Sequence, residues 1–450
     1  MKNAIMFICF FLSCIEKTEA QEVWTLEQCI RYACENNIQL KQQQLNTLNA
    51  ENTLLQSQLS RLPDLNVSGN FSSSRGKVLD QNTFSIVDGE TVKSLSGGVS
   101  SSVTLFRGLQ LKNTVDRNYF ALLASRQDTE KLKNDLSLNI VMYYLQIIHA
   151  EEQLAVAEQQ LLLTRRQAAR TAVLVEAGSL PEGNLFDMEA QEAREELQAV
   201  TARNTLDMAR LNLAQLLDLD TRTDFRVASP EFPDITVSGL AGTVDDIFAH
   251  AGSVLPQIKS AEYRMESARE SLSVARGARS PSLTLSGGYS TRYSSSASLF
   301  DPVSREEYGY PFWRQLRDGV NSYIGIGLGI PLFNGWQINT GVKNARLNLQ
   351  NAQYQLQLAE NTLYKEIQQA HADANAAMNR YAASRKAVAA MEEAFRHTEQ
   401  RYEVGMMNFL DYHTAKTQLA AAQSELLQAK YEYIFKTKVL DFYQGRPIKL

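Results

Sequence analysis

Past residue 20 the sequence has no apolar run long enough to cross a bilayer as a helix, so any membrane span must be made of strands. Cysteine is scarce. Of the four, Cys9 and Cys14 fall in the first twenty residues, and Cys29 and Cys34 are five apart in a helical pattern. That spacing puts them on different faces, which argues against a bridge and leaves them as small hydrophobes. Strong charge of one sign is missing: a net charge of −5 argues against a nucleic-acid partner. None of the five histidines, His149, His250, His371, His397 and His413, has a partner at metal-ligand spacing. With no phosphate loop, dinucleotide fingerprint or nucleophile elbow, the sequence offers no support for an enzyme, a cofactor or a metal site.

The N-terminus reads as a targeting segment. Lys2 precedes the apolar run Ala4–Ile15, and Thr18-Glu19-Ala20 supplies small residues for cleavage, so residues 1–20 are expected to be a secretory signal peptide. The alternative is a lipidated Cys14 after Leu12-Ser13.

The chain repeats itself. Arg61-Leu62-Pro63-Asp64-Leu65-Asn66-Val67-Ser68-Gly69 matches Arg279-Ser280-Pro281-Ser282-Leu283-Thr284-Leu285-Ser286-Gly287 at an offset of 218. Leu105-Phe106-Arg107-Gly108 matches Leu332-Phe333-Asn334-Gly335 at 227, and Asn184-Leu185-Phe186-Asp187 matches Asn408-Phe409-Leu410-Asp411 at 224. The first repeat is assigned to 21–242, ending in a proline-containing link from Asp218 to Gly242, and the second to 243–450. Each is expected to hold a helix, two strands around a loop, a very long helix, a turn and a return helix.

The strands are expected at about 65–75, 94–106, 282–293 and 321–332. Leu65, Val67, Gly69 and Phe71 alternate with Asn66, Ser68, Asn70 and Ser72, and Leu95, Val99, Val103 and Leu105 oppose Ser96, Gly98, Ser100, Ser102 and Thr104. In the second repeat Leu283, Leu285, Tyr289 and Tyr293, then Ile324, Ile326, Leu328, Ile330 and Leu332, form the apolar sides. One apolar face and one face of Ser, Gly and Thr suit a strand between lipid and a wet pore, and the lengths approach the ~9–11 residues a tilted bilayer strand needs. The edge of a soluble sandwich is the alternative. Four strands cannot close a barrel and open edges are not tolerated in lipid, so several copies must pool their strands. The loops 73–93 and 294–320 then lie outside the cell, the second carrying Tyr308, Tyr310, Phe312 and Trp313 as an aromatic girdle or a packed loop core.

Long helices are expected over about 108–177 and 335–404, each without proline. About 70 residues at ~1.5 Å each span ~105 Å, far beyond an ordinary helix. Steps of three and four mark a heptad seam: Ile367, Ala370, Ala374, Ala377, Tyr381, Ser384, Val388, Met391, Phe395, Thr398 and Tyr402, matched 227 residues earlier by Ile140 through Val175. A narrow seam of small residues between polar faces suits a hollow helical barrel; a solid coiled-coil spacer is the alternative. Turns are expected at 178–184 and 405–408, with return helices over about 184–217 and 408–444 capped by Asn184 and Asn408. Asp187 and Asp411 follow in the first turn, where an acid complements the helix dipole. Multiplied by symmetry, such acids also form a carboxylate ring that favours cations at a constriction.

These residues resemble a known family. Trp24-Thr25-Leu26-Glu27-Gln28-Cys29-Ile30 is similar to its opening helix, Arg61-Leu62-Pro63 and Arg279-Ser280-Pro281 to its helix-to-strand junctions, and Ile330-Pro331-Leu332-Phe333-Asn334-Gly335 to its strand-to-helix swivel. Tyr402-Glu403-Val404-Gly405 followed by Asp411 resembles its periplasmic tip. The family is the TolC-like outer-membrane factors, and the resemblance covers nearly the whole chain after the signal segment.

The resemblance implies an α+β membrane protein with an internal two-fold repeat: long antiparallel helical hairpins forming an α-barrel, and four strands per chain in the twelve-stranded β-barrel of a homotrimer. It implies an outer-membrane location with the helices in the periplasm, and an equatorial belt over 218–250 with the C-terminal end. It implies a periplasmic adaptor (membrane fusion protein) and an inner-membrane transporter of RND or ABC type as partners. Asp411 and Tyr402 fall on gate positions, and Asp187, which matches Asp411 in the first repeat, is a further constriction candidate; Thr414 stands where a second gate acid can occur and Met407 where a linking arginine can, so the charged lock is weaker. Gly178, Leu180, Pro181, Gly405, Met406, Met407 and Phe409 form the tip expected to dock the adaptor, and Gly108, Pro331 and Gly335 the swivels. The expected function is a passive efflux duct for small molecules; a duct for secreted polypeptides and a poreless surface coiled coil are the rivals.

Overall fold

A computed structural model describes residues 23–80, 85–89, 91–219, 225–230, 242–300, 302–303 and 305–446. The expected signal segment, with Cys14, lies outside the described residues, as do parts of the link 218–242. The chain divides into two compact units, one of Met1–Leu45, Gln127–Lys259 and Leu358–Leu450, the other of Asn46–Arg126 and Ser260–Gln357.

In chain order the elements are β1 (Val23–Trp24), α1 (Leu26–Asn36), α2 (Ile38–Leu59), β2 (Asn66–Arg75), β3 (Val78–Asp80), β4 (Ser85–Val87) and β5 (Thr91–Arg107), then α3 (Gln110–Glu176), α4 (Glu182–Leu216) and β6 (Arg226–Val227). There follow α5 (Val244–Val254), α6 (Pro256–Gly277), β7 (Ser282–Ser294), β8 (Ser298–Phe300), β9 (Glu307–Gly309), α7 (Phe312–Asp318), β10 (Asn321–Gly329), α8 (Gln337–Glu403) and α9 (Phe409–Tyr443). No helix among the described residues is long and apolar enough to cross a membrane.

The second unit holds an antiparallel sheet in the order β10-β7-β5-β2. Its register puts the apolar residues of all four strands on one face. Val67 pairs with Val99, which pairs with Tyr289; Phe71 pairs with Leu95, which pairs with Tyr293; Val103 pairs with Leu285, which pairs with Ile326. The other face is small and polar, as in the row Ser68, Gly98, Ser290 and Asn321. The alternation is reversed at Val92 and Lys93 near the start of β5, and it breaks again near the end of that strand. A bulge between Thr104 and Phe106 makes Phe106, not Leu105, the partner of Leu283, so Leu105 leaves the apolar row in which its spacing had put it.

β10 ends at Gly329, so Ile330, Pro331 and Leu332 are not strand residues as expected; Pro331 has no N–H to give the ladder. The expected loops are also shorter and carry secondary structure among their described residues. β2 and β5 run on to pair Arg75 with Thr91, and the loops contain the β3–β4 and β8–β9 hairpins and α7. On α7, Gln315 is buried, accepting from Ser294 N at 2.9 Å and donating to Ser294 O and Tyr310 O. Phe312 packs against Tyr293 with ring centres 4.8 Å apart, while its neighbour Trp313 stands out into solvent.

The first unit is helical. α3 and α8 are each 67 residues, α4 and α9 each 35. The seam residues Ile140, Ile147, Ala150, Leu161, Thr164, Ala168 and Thr171 are buried, as are Ile367, Ala370, Ala374, Ala377, Ser384 and Val388; Met391 is exposed. The core gathers Ile140, Tyr144 and Ile147 of α3 with Leu26, Cys29 and Ala33 of α1 and Leu213 of α4. Cys29 and Cys34 are both free, and burial pushes the Cys29 thiol up to about 12. β1 and β6 pair in parallel there, and Tyr144 Oη donates to Ala228 O at 2.5 Å.

The ends of α4 and α2 meet. Asp218, in the left-handed region at φ +56°, accepts from Ile38 N at 3.3 Å through its carboxylate, and the Asn37 amide donates to Leu216 O at 3.5 Å. A non-glycine residue at positive φ costs about 1–2 kcal/mol, offset here by a capped helix start.

Candidate gate at the helical turns

The long helices stop for a local reason. At the end of α3, Gly178 N bonds Val175 O and Ser179 N bonds Leu174 O; at the end of α8, Gly405 N bonds Tyr402 O and Met406 N bonds Arg401 O. Each is a six-to-one bond wrapped around a five-to-two bond, closed by a glycine at φ +73° or +74°. Both turns stand on a residue type that reaches this conformation at low cost.

The return helices start differently. Asn408 caps α9, its Oδ1 accepting from Asp411 N at 2.8 Å. Asn184 does not cap α4, contrary to its sequence position: α4 begins at Glu182 with Pro181 as an N-cap that makes no side-chain bond. The extra residues of the first turn allow the helix to begin two residues earlier, so Asn184 and Asp187 both lie inside it. Among the described residues, neither Asp187 nor Asp411 makes a side-chain hydrogen bond or ion pair, and both are exposed. Thr414 is exposed and donates to Leu410 O at 2.8 Å, within its own helix.

Tyr402 does have a partner. Its ring stacks on Tyr412, with centres 4.4 Å apart and planes 17° apart, and Phe395 also meets Tyr412, with centres 5.6 Å apart. Tyr412 is buried and its hydroxyl accepts from Gln167 Nε2 at 2.7 Å, tying α9 and α8 to α3. Burial raises its phenol pKa. At the turns Met406, Leu410 and Phe186 are exposed and Leu180, Met407 and Phe409 half-buried, with Gly178, Pro181 and Gly405 open to solvent.

The positions expected to be swivels each carry two left-handed residues in succession: Gly108 with Leu109, and Gly335 with Trp336. A methyl on Gly108 would lie 2.3 Å from Gly277 O, whereas one on Gly335 would meet nothing within 4 Å.

Sequence reasoning passed over Tyr412 and a buried ion pair. Lys416 Nζ of α9 lies 3.1 Å from Glu195 Oε1 of α4 and donates to Thr164 Oγ1 of α3 at 2.6 Å. Lys416 and Glu195 are 8% and 7% exposed, the most enclosed pair among the described ion pairs. The available signal was that Lys416 stands one helical turn after Tyr412, on the inward face of α9.

A family model described as "Outer membrane efflux protein" matches the chain twice, over 29–218 and 253–440. The chain is 22% identical over 428 residues to the outer membrane protein TolC of Vibrio cholerae, covering 94% of this chain and 92% of that one. It is 22% identical over 385 residues to the outer membrane efflux protein BepC of Brucella suis, covering 84% and 76%. Its fold is similar to the solved structure of CusC, with a TM-score of 0.77 at 21% identity, covering 94% of this chain and 92% of that one. The twofold match accounts for most of both halves, and the chain belongs to the outer membrane efflux protein family.

Proposed function

We infer that three copies of this outer membrane efflux protein form the passive outer-membrane duct of a tripartite efflux system. The observation that carries the reading is the sheet. It has one apolar face, one small polar face and two free edges, β2 and β10. In β2 every residue is exposed, and Ile324, Ile326 and Leu328 of β10 are exposed likewise. Unpaired edges are intolerable in hydrocarbon. Along the order β10-β7-β5-β2 the strands alternate in direction, so β10 of a second copy meets β2 antiparallel. Three fours give a closed ring of twelve.

The repeat supports the same assembly. α3 and α8 match in length, as do α4 and α9, and the paired short helices run 11 and 22 residues in each half. Inside one chain the start of α3 lies on α6: Gly108 crosses Gly277, Gln110 Nε2 donates to Val274 O at 3.0 Å, and Ser267 Oγ donates to Arg117 O at 3.1 Å. By the repeat, the start of α8 seeks the end of α2. Both surfaces are uncovered, with Leu332, Phe333 and Trp336 on one and Leu55, Leu59 and Leu62 on the other. A neighbouring copy supplies the missing contact.

The strands then lie in the outer membrane and the helices in the periplasm. The apolar turns 178–184 and 405–408 dock a periplasmic adaptor, which links the duct to an inner-membrane transporter of RND or ABC type that supplies the energy. Asp411, Asp187 and their symmetry copies form carboxylate rings at a constriction, with Tyr402 beside them; Thr414 adds no charge. Small-molecule export needs no chemistry from this chain. The test is single-channel recording of the purified protein in planar bilayers. Cation-selective conductance is expected, with selectivity reduced in Asp411→Ala. Inserted protein that never conducts overturns the duct, and unaltered selectivity in Asp411→Ala overturns the gate.

A further inference from the structure

The strands β2, β5, β7 and β10 contain no aspartate or glutamate. Their charged residues are all cations: Arg75 of β2, Lys93 and Arg107 of β5, and Arg292 of β7. The register sorts them. Arg75 and Lys93 share the face of Phe71 and Leu95 and lie beyond them toward the loops, where a long cationic side chain reaches from an apolar band to water. Arg107 pairs with Ser282 at the opposite end of the sheet, and there Asp64, bonded to Ser102, supplies an acid.

Arg292 is placed differently. It pairs with Ser96, which pairs with Asn70, in a row of the small polar face. The next row toward the loops, Phe71, Leu95 and Tyr293, still belongs to the apolar face. Arg292 therefore stands within the depth of the apolar band but on the opposite side of the sheet. It is exposed, and among the described residues its side chain makes no hydrogen bond or ion pair. Its neighbours on that face of β7 are Ser290 and Ser294. A wall of serine and glycine has no ionic preference of its own, so one uncompensated guanidinium decides the sign of the field there.

We propose that Arg292 sets the ionic preference of the exit half of the duct: its three copies form a cationic collar that draws anions, and the carboxylate or phosphate groups of exported solutes, through the β-barrel. The collar rests on the duct reading. Twelve strands at ~4.8 Å spacing and ~40° tilt close at a radius of ~12 Å. An arginine reaching ~6 Å inward from that wall brings its charge within one Debye length of the axis, ~10 Å at 0.1 M salt, so the three fields overlap in the lumen. Carboxylate and phosphate are the planar, bidentate partners of a guanidinium. The duct is then bipolar, with the Asp411 carboxylates at the periplasmic end and the Arg292 guanidiniums toward the outer mouth. Solutes carrying an anionic group are favoured at the exit, and purely cationic ones are opposed there.

The test is the reversal potential of the full-length channel in a potassium chloride gradient across a planar bilayer. Arg292→Gln and Arg292→Glu are compared with the native residue, each also in an Asp411→Ala background that removes the competing carboxylates. In that background Arg292→Gln should lower the chloride-to-potassium permeability ratio about threefold, and Arg292→Glu should lower it further. Near ~1 M salt, where the Debye length shrinks to ~3 Å, the difference should vanish. A ratio that is the same for all three residues at position 292 overturns the collar and leaves the duct standing. Equal changes in Arg292→Gln and Arg292→Glu report pore shape in place of charge, and also overturn it. Inserted proteins that never conduct overturn the duct, and the collar with it.

Discussion

Replacing Lys416 with methionine tests the buried ion pair directly. At 3.1 Å and an effective dielectric near 20, the Lys416–Glu195 attraction is about 5 kcal/mol. Methionine fills the space of the lysine stem, so the loss is electrostatic. Glu195 keeps one hydrogen bond on the affected oxygen, from Gln191 Nε2 at 2.9 Å, which offsets about 1 kcal/mol. A net loss of about 3–5 kcal/mol in unfolding free energy follows, the usual consequence of stranding one buried charge. The double variant Lys416→Met with Glu195→Met removes both charges and should recover most of that loss, because neither ion is then held away from water. The assay is chemical unfolding of the detergent-solubilised protein followed by helical circular dichroism. A single variant that costs less than about 1 kcal/mol, or a double variant that costs as much as the two singles summed, would refute the reasoning.

Other outcomes follow from the same structure. Gly108→Ala places a methyl 2.3 Å from Gly277 O and should cost more than the ~1–2 kcal/mol of the left-handed backbone alone, whereas Gly69→Ala, with nothing within 4 Å, should be silent; thermal midpoints compare them. Tyr412→Phe leaves the Gln167 amide unpaired and should cost about 1 kcal/mol, read as lower hydrogen-exchange protection around 402–412 with the sheet unaffected. Asp373 is held below its ordinary pKa, first by the hydrogen bond from Lys436. Its stabilisation is therefore complete above the unfolded value near pH ~3.9 and is lost as the pH falls through the lower folded value. Lys436→Met should flatten that acid limb in a pH series of unfolding midpoints.

What could be read from the sequence was what repeats. The alternation of Val67 and Phe71 with Ser68 and Asn70 requires no partner to be visible, and the glycine stops at Gly178 and Gly405 are local chemistry. Features set by a second strand or helix were hidden. The bulge at Leu105 exists only in the pairing with β7, and the end of β10 at Gly329 depends on where β7 begins to answer it. Asn184 had the right residue type for a cap, but the longer turn started the helix before it. Of the candidate gate, Tyr402 meets Tyr412, while among the described residues Asp187 and Asp411 make no side-chain hydrogen bond or ion pair and Thr414 bonds within its own helix. Lys416 and Glu195 are 221 residues apart, and no spacing rule joins them.

The meeting of α4 and α2 at Asp218 has a mechanical consequence. Beside it α3 runs on without a break, packed through Ile140 and Tyr144 against Leu213 and Leu217. The junction of α4 with the start of α2 is therefore held by the Asp218 and Asn37 side chains, and loosening it costs two side-chain hydrogen bonds and no rung of a helix ladder.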